Sequence, residues 1–460
     1  MTQFTRRNML ATMAMGGASL LAGGAEEGLL RAEAADTAQA AQPQLSPAER
    51  KQAAEKLVAY IAANGPLLLR PAEGILAHPW VSGALPKKEY ADSLWDWDTP
   101  WTCRALFRLA SMLGDAELRR KVGLHAQGSL LNFLDHQSEE GRIPIVMLLD
   151  KPDPFGCLRK SPPNHQNQAK PVMAQLALLV ADETKDVEWL ALHFDQLLRF
   201  HDSWVLGNES AIGLLVWGDD VAIGNDNDPT TFGRPFFSSA NLLLNCLYYQ
   251  DLRAAATLAQ RLNRPRDEER LTDRAGKLGE QIQKYCWDPR DRFYYTVDVQ
   301  CVDRRKELIG EAGGMAMSWQ CLPLRIQSFT GFLPLWCGLA TQQQARDLVQ
   351  ANYLADTRFR ADWGVRSLSN LETMYSLVFS SNPSDWLGPV WIIANYFVWK
   401  ALKNYGFDEE AASLANKIIR LLDSSLATTG SLNEYYHPDT GAPLSHQGFM
   451  DWNLLVLEMI

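Results

Sequence analysis

From Ser46 to the C-terminus, apolar residues return at helical spacing in one segment after another, and little else in the chain is periodic. The first segment, "SPAERKQAAEKLVAYIAANG", shows how such a helix starts and stops. Ser46 and Glu49 form a capping box, Pro47 takes the first helical position, and Gly65 ends the run. Similar stretches lie near residues 99–113, 115–135, 168–182, 186–204, 236–261, 266–286, 341–355, 388–404, 407–426 and 449–459, whereas strand signal is confined chiefly to "RFYYTVDVQ" at 292–300. Each such helix must bury its apolar stripe against a partner. With no sharp composition break and no interior linker, the economical solution is one closed, all-α toroid of paired helices forming a single domain over 46–460. A helical solenoid would show a fixed-period repeat, and none is visible.

The segment before Ser46 has another purpose. Arg6 and Arg7 precede a weakly apolar, Gly/Ala-rich run, and "AEAAD" supplies a small-residue cleavage pattern near Ala34. Residues 1–34 are expected to be a twin-arginine export signal, and 35–45 a low-complexity tether outside the fold. The apolar run falls short of the roughly 20 residues that a membrane span needs. The expectation is a periplasmic or secreted protein with no stable membrane insertion after signal removal.

A formal charge of −10, without a basic stripe interleaved with aromatics, argues against a nucleic-acid partner. The cysteines Cys103, Cys157, Cys246, Cys286, Cys301, Cys321 and Cys337 are scattered without metal-ligand spacing, which gives neither a zinc site nor a dense disulfide scaffold. Fifteen tryptophans stand out in the composition. Most are expected in the core. Several, however, sit beside Asp, Gly and Pro in polar stretches between the helices: "LWDWDTPW" (Leu94–Trp101), "EGRIP" (Glu140–Pro144), "NHQNQAKP" (Asn164–Pro171), "VWGDDVAIGNDNDP" (Val216–Pro229), "DWGVRSLS" (Asp362–Ser369), "DWLGPVWIIANY" (Asp385–Tyr396) and "NEYYHPDTGAPLSHQGFMDW" (Asn433–Trp452). In a toroid these stretches converge on one end, making an acidic concavity walled by indole rings. Such a surface suits a carbohydrate partner.

No nucleophilic Ser or Cys with a His partner, no dinucleotide glycine fingerprint and no metal-binding His cluster occur in these stretches. Carboxylates remain. Two of them flanking a glycosidic bond suffice for hydrolysis, one protonating the leaving oxygen and the other activating water or attacking the anomeric carbon. Water is the only co-reactant, so no cofactor and no metal are expected.

The motifs, in this order, resemble those of glycoside hydrolase family 63, which includes processing α-glucosidase I and bacterial mannosylglycerate and glucosylglycerate hydrolases. "WDWDTPW" is similar to its W-x-W-D segment, "NQAKP" to Q-P-P, "GNDNDP" to its G-x-D-D/N-x-P loop, "DWLGPVW" to Y-W-x-G-P-x-W, and "EYYHPDTGAP" to E-x-Y-x-P-x-T-G. The resemblance implies an (α/α)6 barrel and inversion of configuration, with Asp226 as general acid and Glu434 as general base. It places sugar contacts at Trp95, Asp98, Gln168, Trp217, Trp386, Trp391 and Gln447. The function it implies is an exo-acting α-glycosidase, first an α-glucosidase, on a small glycoside or oligosaccharide. Burial beside Trp217, and repulsion from Asp219, Asp220 and Asp228, would raise the pKa of Asp226. Trp386 and Trp391 would stand as stacking walls, and Asn225 and Asn227 would form the turn. Asp220 and then Asp362 are the competing acids. A sugar epimerase or isomerase using His165, His437 or His446, a trehalase-like hydrolase, and a non-catalytic glycan-binding relative are the alternatives on the same barrel.

Overall fold

The computed structural model describes residues 45–158, 166–300, 310, 319–354, 358–379 and 383–460. Residues 1–34, expected as an export signal, and all of the expected tether except Leu45 lie outside the described residues. In chain order the helices are α1 (Pro47–Asn64), α2 (Asp98–Leu113), α3 (Ala116–Asp135), α4 (Met173–Thr184), α5 (Phe194–Asn208), α6 (Leu242–Arg261), α7 (Pro265–Cys286), α8 (Leu333–Trp336), α9 (Gln342–Leu348), α10 (Ile392–Asn404) and α11 (Asp408–Thr429). A π-helical stretch, Val349–Leu354, extends α9, and a 3-10 helix, Asp451–Glu458, follows α11.

These elements make two concentric rings. Helices α2, α4, α6, α8 and α10 pack each on the next, and the 3-10 helix bridges α10 back to α2 to close the inner ring. The intervening helices pack outside it, giving an (α/α)6 toroid. Burial follows from this placement. The first seven residues of α10, Ile392–Val398, and of α6, Leu242–Tyr248, are buried on every face. Outer helix α7 buries only the stripe Leu271, Ala275, Leu278, Gly279, Ile282 and Cys286. A helix apolar all round belongs inside, and one with a single stripe lies on the surface.

The first helix carries the expected capping box, with Ser46 accepting from the Glu49 N–H and the Glu49 carboxylate accepting from the Ser46 N–H. Other elements differ from expectation. Helices α4, α6 and α10 start several residues late, because their apolar lead-in residues belong to the loops of a buried site. Asn241 fixes one of these starts by capping Leu243 N–H at 2.8 Å. The 186–204 segment begins as a 3-10 turn, Glu188–Leu190, before α5, and the final segment is 3-10 throughout. "RFYYTVDVQ" yields two short strands, Phe293–Tyr294 and Val297–Asp298, in different antiparallel pairings. The described cysteines form no disulfide, and all except Cys321 are buried.

Four buried asparagines tie the helices to the loops. Asn132 on α3 accepts from His78 N–H and donates to His78 C=O, both at 3.0 Å. Asn245 on α6 does the same to Leu215, at 2.8 Å each way. Asn395 on α10 accepts from Val365 N–H at 2.7 Å and donates to Val365 C=O at 3.0 Å. Asn453, in the 3-10 helix, donates to Asn433 C=O at 2.7 Å. Removing the amide would leave a buried donor and acceptor without partners, at a cost of about 1–3 kcal/mol per group. Asn395→Leu is therefore expected to lower stability by about 3 kcal/mol, measured by urea unfolding, with the helical content of the folded state unchanged.

Candidate active site

The loop "GNDNDP" is built around Gly224, whose φ of 97° favours glycine and whose added Cβ would meet the Trp97 ring at 3.2 Å. Beyond it the chain folds into a local turn. Asn225 Nδ2 donates to Asp228 Oδ2 at 2.5 Å, and Asp228 Oδ1 accepts from Thr230 N–H at 2.8 Å. Asn227 differs from its expected role as a turn former. Its Oδ1 accepts from Trp386 N–H at 2.7 Å and its Nδ2 donates to Asp385 Oδ1 at 3.1 Å, joining loops 158 residues apart. Between these two asparagines, Asp226 is half-buried.

Burial pushes the Asp226 carboxyl up to about 6, with a contribution from the negative charge of Glu434, against the opposing pull of Lys170 and hydrogen bonds from Ser384 and the Gly224 backbone. The expected like-charge neighbours are engaged elsewhere. Asp219 accepts from Asn167 at 2.9 Å, Asp228 serves the turn, and Asp220 accepts from Gly233 N–H at 2.8 Å. The other competing acid, Asp362, offers its backbone carbonyl to Arg420 at 2.5 Å.

Lys170 is the cation beneath the loop. It is fully buried, with Nζ 3.1 Å from Asp96 Oδ2 and 2.9 Å from the carbonyl of Ala222. Burial raises Asp96 to about 6 even though Lys170 counteracts it. Losing either partner of such a pair would strand a charge in the interior.

Glu434 is 4% exposed. Its N–H donates to Ser445 C=O at 3.2 Å, the carbonyl before it is held by Asn453, and its Oε2 accepts from His446 Nδ1. Nearby, Asp98 and Asp451 form a second acidic pair. Burial raises both carboxyls, Asp451 well above the usual carboxylate range with further repulsion from Asp98. Each keeps one buried oxygen, Oδ2, without a donor, while Asp451 Oδ1 accepts from Thr102 Oγ1 at 2.8 Å. Two buried carboxyls this close disfavour carrying two negative charges at once.

Of the expected sugar contacts, Asp98 lies in this acidic cluster, and Trp95 is half-exposed, with Nε1 donating to Ser93 Oγ at 2.9 Å. Gln168 and Trp217 are buried. Gln168 Oε1 accepts from Ser203, but Gln168 Nε2 and Trp217 Nε1 are donors with no protein partner, the kind of group a sugar hydroxyl satisfies.

The two indoles expected as separate walls instead stack on each other, Trp386 on Trp391 at 4.0 Å and 6°. Trp391 is fully buried and packs against Tyr435 at 4.6 Å, so it backs Trp386 rather than offering a face. Gln447 also departs from its expected place, being exposed with Nε2 on Thr429 C=O at 3.0 Å. Asn433 and Gln447 form an antiparallel bridge, which puts their neighbours Glu434 and His446 together on the opposite face.

Residues outside the expected set complete the cluster. Tyr90, at a φ of 67°, meets Trp95, His446 and Phe449 edge-on. Burial raises its hydroxyl well above the usual tyrosine value, and the charges of Glu434 and Asp226 add to that, so it remains a donor. Its signal in the sequence was only its place before "LWDWD". Of the histidines proposed for an epimerase, His165 lies outside the described residues, and His437 accepts the Asp439 and Thr440 N–H groups of a turn. Among the described residues no group of three or more His, Cys, Asp or Glu is placed to hold a metal ion, and no helix is long and apolar enough to cross a membrane.

The fold and these loops have known counterparts. Residues 91–451 match the family model described as "Mannosylglycerate hydrolase MGH1-like glycoside hydrolase domain". A mannosylglycerate hydrolase of Thermus thermophilus is 29% identical over 172 residues, which are 37% of this chain and 34% of the relative. Mannosylglycerate hydrolase MGH1 of Selaginella moellendorffii is 33% identical over 114 residues, 24% of this chain and 20% of the relative. The chain thus matches about a third or less of the length of these two curated relatives. Among solved structures, a GH63 mannosylglycerate hydrolase from Thermus thermophilus in complex with glucose superposes with a TM-score of 0.61 at 20% identity, covering 89% of this chain and 98% of that one. A neutral trehalase from Saccharomyces cerevisiae gives 0.54 at 15% identity, covering 83% and 74%. These superpositions show a shared fold. Since the family model spans most of the chain, the protein belongs to glycoside hydrolase family 63, in its mannosylglycerate hydrolase MGH1-like group.

Proposed function

We propose that the protein is an exo-acting, inverting α-glycosidase that hydrolyses a small α-glycoside, with Asp226 as general acid and Glu434 as general base. The observation that carries this reading is the pairing of a half-buried Asp226, raised to about 6, with the negative charge of Glu434 from another loop of the same barrel end. Asp226 would give its proton to the glycosidic oxygen as the bond to the anomeric carbon breaks. Glu434 would take a proton from water attacking that carbon on the opposite face. Gln168 Nε2 and Trp217 Nε1 offer donors for sugar hydroxyls.

An α-glucoside is the first substrate in this proposal. An α-mannoside of a small polar acid is the second, supported by the mannosylglycerate hydrolases among the relatives. The proposal includes export by the twin-arginine route at Arg6 and Arg7.

The test is sugar release from a panel of α- and β-linked glucosides, mannosides and small disaccharides. The wild type is expected to cleave one α-glycoside, and Asp226→Asn and Glu434→Gln to lose at least about 100-fold in kcat while remaining folded. Full activity in either variant would remove that residue from its role. Proton NMR of the first-formed sugar should show the β-anomer, and release of the α-anomer would refute inversion.

A pH profile follows from the same acid. Asp226 must be protonated to act, so kcat/KM is expected to hold below about 6 and fall about tenfold per unit above it. A plateau extending past pH 8 would contradict this assignment.

A further inference from the structure

His446 occupies a position that the hydrolytic mechanism does not require. It is the residue after Ser445 in the strand-like segment opposite Glu434, and its backbone φ of 22° is unusual for a residue other than glycine. The imidazole is held at Nδ1 and at its ring edge. Nδ1 contacts Glu434 Oε2, Ser445 Oγ lies 3.0 Å from the same nitrogen, and Tyr90 meets the ring edge-on at 5.3 Å and 78°. We propose that His446 is the positioning residue for the general base: its Nδ1–H holds Oε2 of Glu434 and so leaves Oε1 as the oxygen that receives the proton of the attacking water. The inference rests on the hydrolase reading of Glu434.

The charge on the pair supports this role. Burial alone would lower the His446 pKa, but the hydrogen bond and negative charge of Glu434, with that of Glu89, outweigh it and leave the group above its ordinary 6.5. The titratable groups facing the ring are Glu434, Glu89 and Tyr90, and Lys88 packs close by over Gly448. A raised histidine keeps its proton as pH falls and loses it only as pH rises through the raised value. Asp226 carries its proton below about 6. Throughout the range in which the acid is ready to donate, Glu434 therefore faces an imidazolium.

Two variants separate position from charge. Asparagine places an amide N–H near the place of Nδ1 without a charge, whereas alanine supplies neither. His446→Ala is expected to lose about 30-fold in kcat with KM within about threefold. His446→Asn is expected to recover most of kcat at the optimum. Thermal unfolding would show both variants folded. If His446→Ala keeps kcat within twofold, the proposal is overturned.

A second readout needs no turnover. The His446 imidazole resonance, identified by its loss in His446→Asn, should titrate above the ordinary histidine value in the wild type and fall in Glu434→Gln. A His446 titration unchanged by Glu434→Gln would overturn the pair itself. Intact titration behaviour in a wild type silent on every glycoside would instead overturn the hydrolase reading and with it the role of Glu434 as base, while the His446–Glu434 pair would stand.

Discussion

The site depends on side-chain amides that satisfy backbone groups where no water is at hand. A loop at the end of a closed helical ring cannot leave its N–H and C=O groups bare, since each buried group without a partner costs about 1–3 kcal/mol. Asn245 and Asn395 meet this demand from inner helices and Asn132 from an outer one, each by clasping both groups of a single loop residue. Asn453 holds the carbonyl next to Glu434. Asn227 extends the same chemistry between loops, fixing Trp386 relative to Asp226. The loops that carry the carboxyls are therefore held by a framework of side-chain amides.

Within that framework, electrostatics divides the carboxyls by task. Lys170 lies beneath Asp96 and moderates the rise of Asp226, while Asp98 and Asp451 share a buried corner that disfavours two negative charges. His446 stands against Glu434. The result is a cluster of acids whose environments differ, the condition under which one carboxyl donates a proton while another accepts one.

Much of this was legible in the chain. Helical periodicity gave the toroid, Ser46, Pro47 and Glu49 gave the start of α1, and the motif order gave the family. The starts of α4, α6 and α10 were not legible, because apolar residues line both an inner helix and the buried loop that precedes it, and periodicity cannot separate the two. Asn227 read as a turn residue because its partners lie at Asp385 and Trp386, far along the chain. The choice between His446 and Gln447 depended on a pairing register of one residue, which flips a side chain to the opposite face. Trp386 and Trp391 were recognisable as a motif, but their mutual stacking depends on the path of the loop between them.

The closure of the inner ring has a kinetic consequence. Thr102 on the first inner helix bonds Asp451 at the start of the last inner element, 349 residues away. Such a contact forms only after the entropy of closing a very long loop has been met, and chains dominated by distant contacts fold slowly. Asp451 lies on one side of this seam and Asp98 on the other. A barrel with this seam unmade would hold Asp98 without Asp451, so that acidic pair is complete only once the ring has closed.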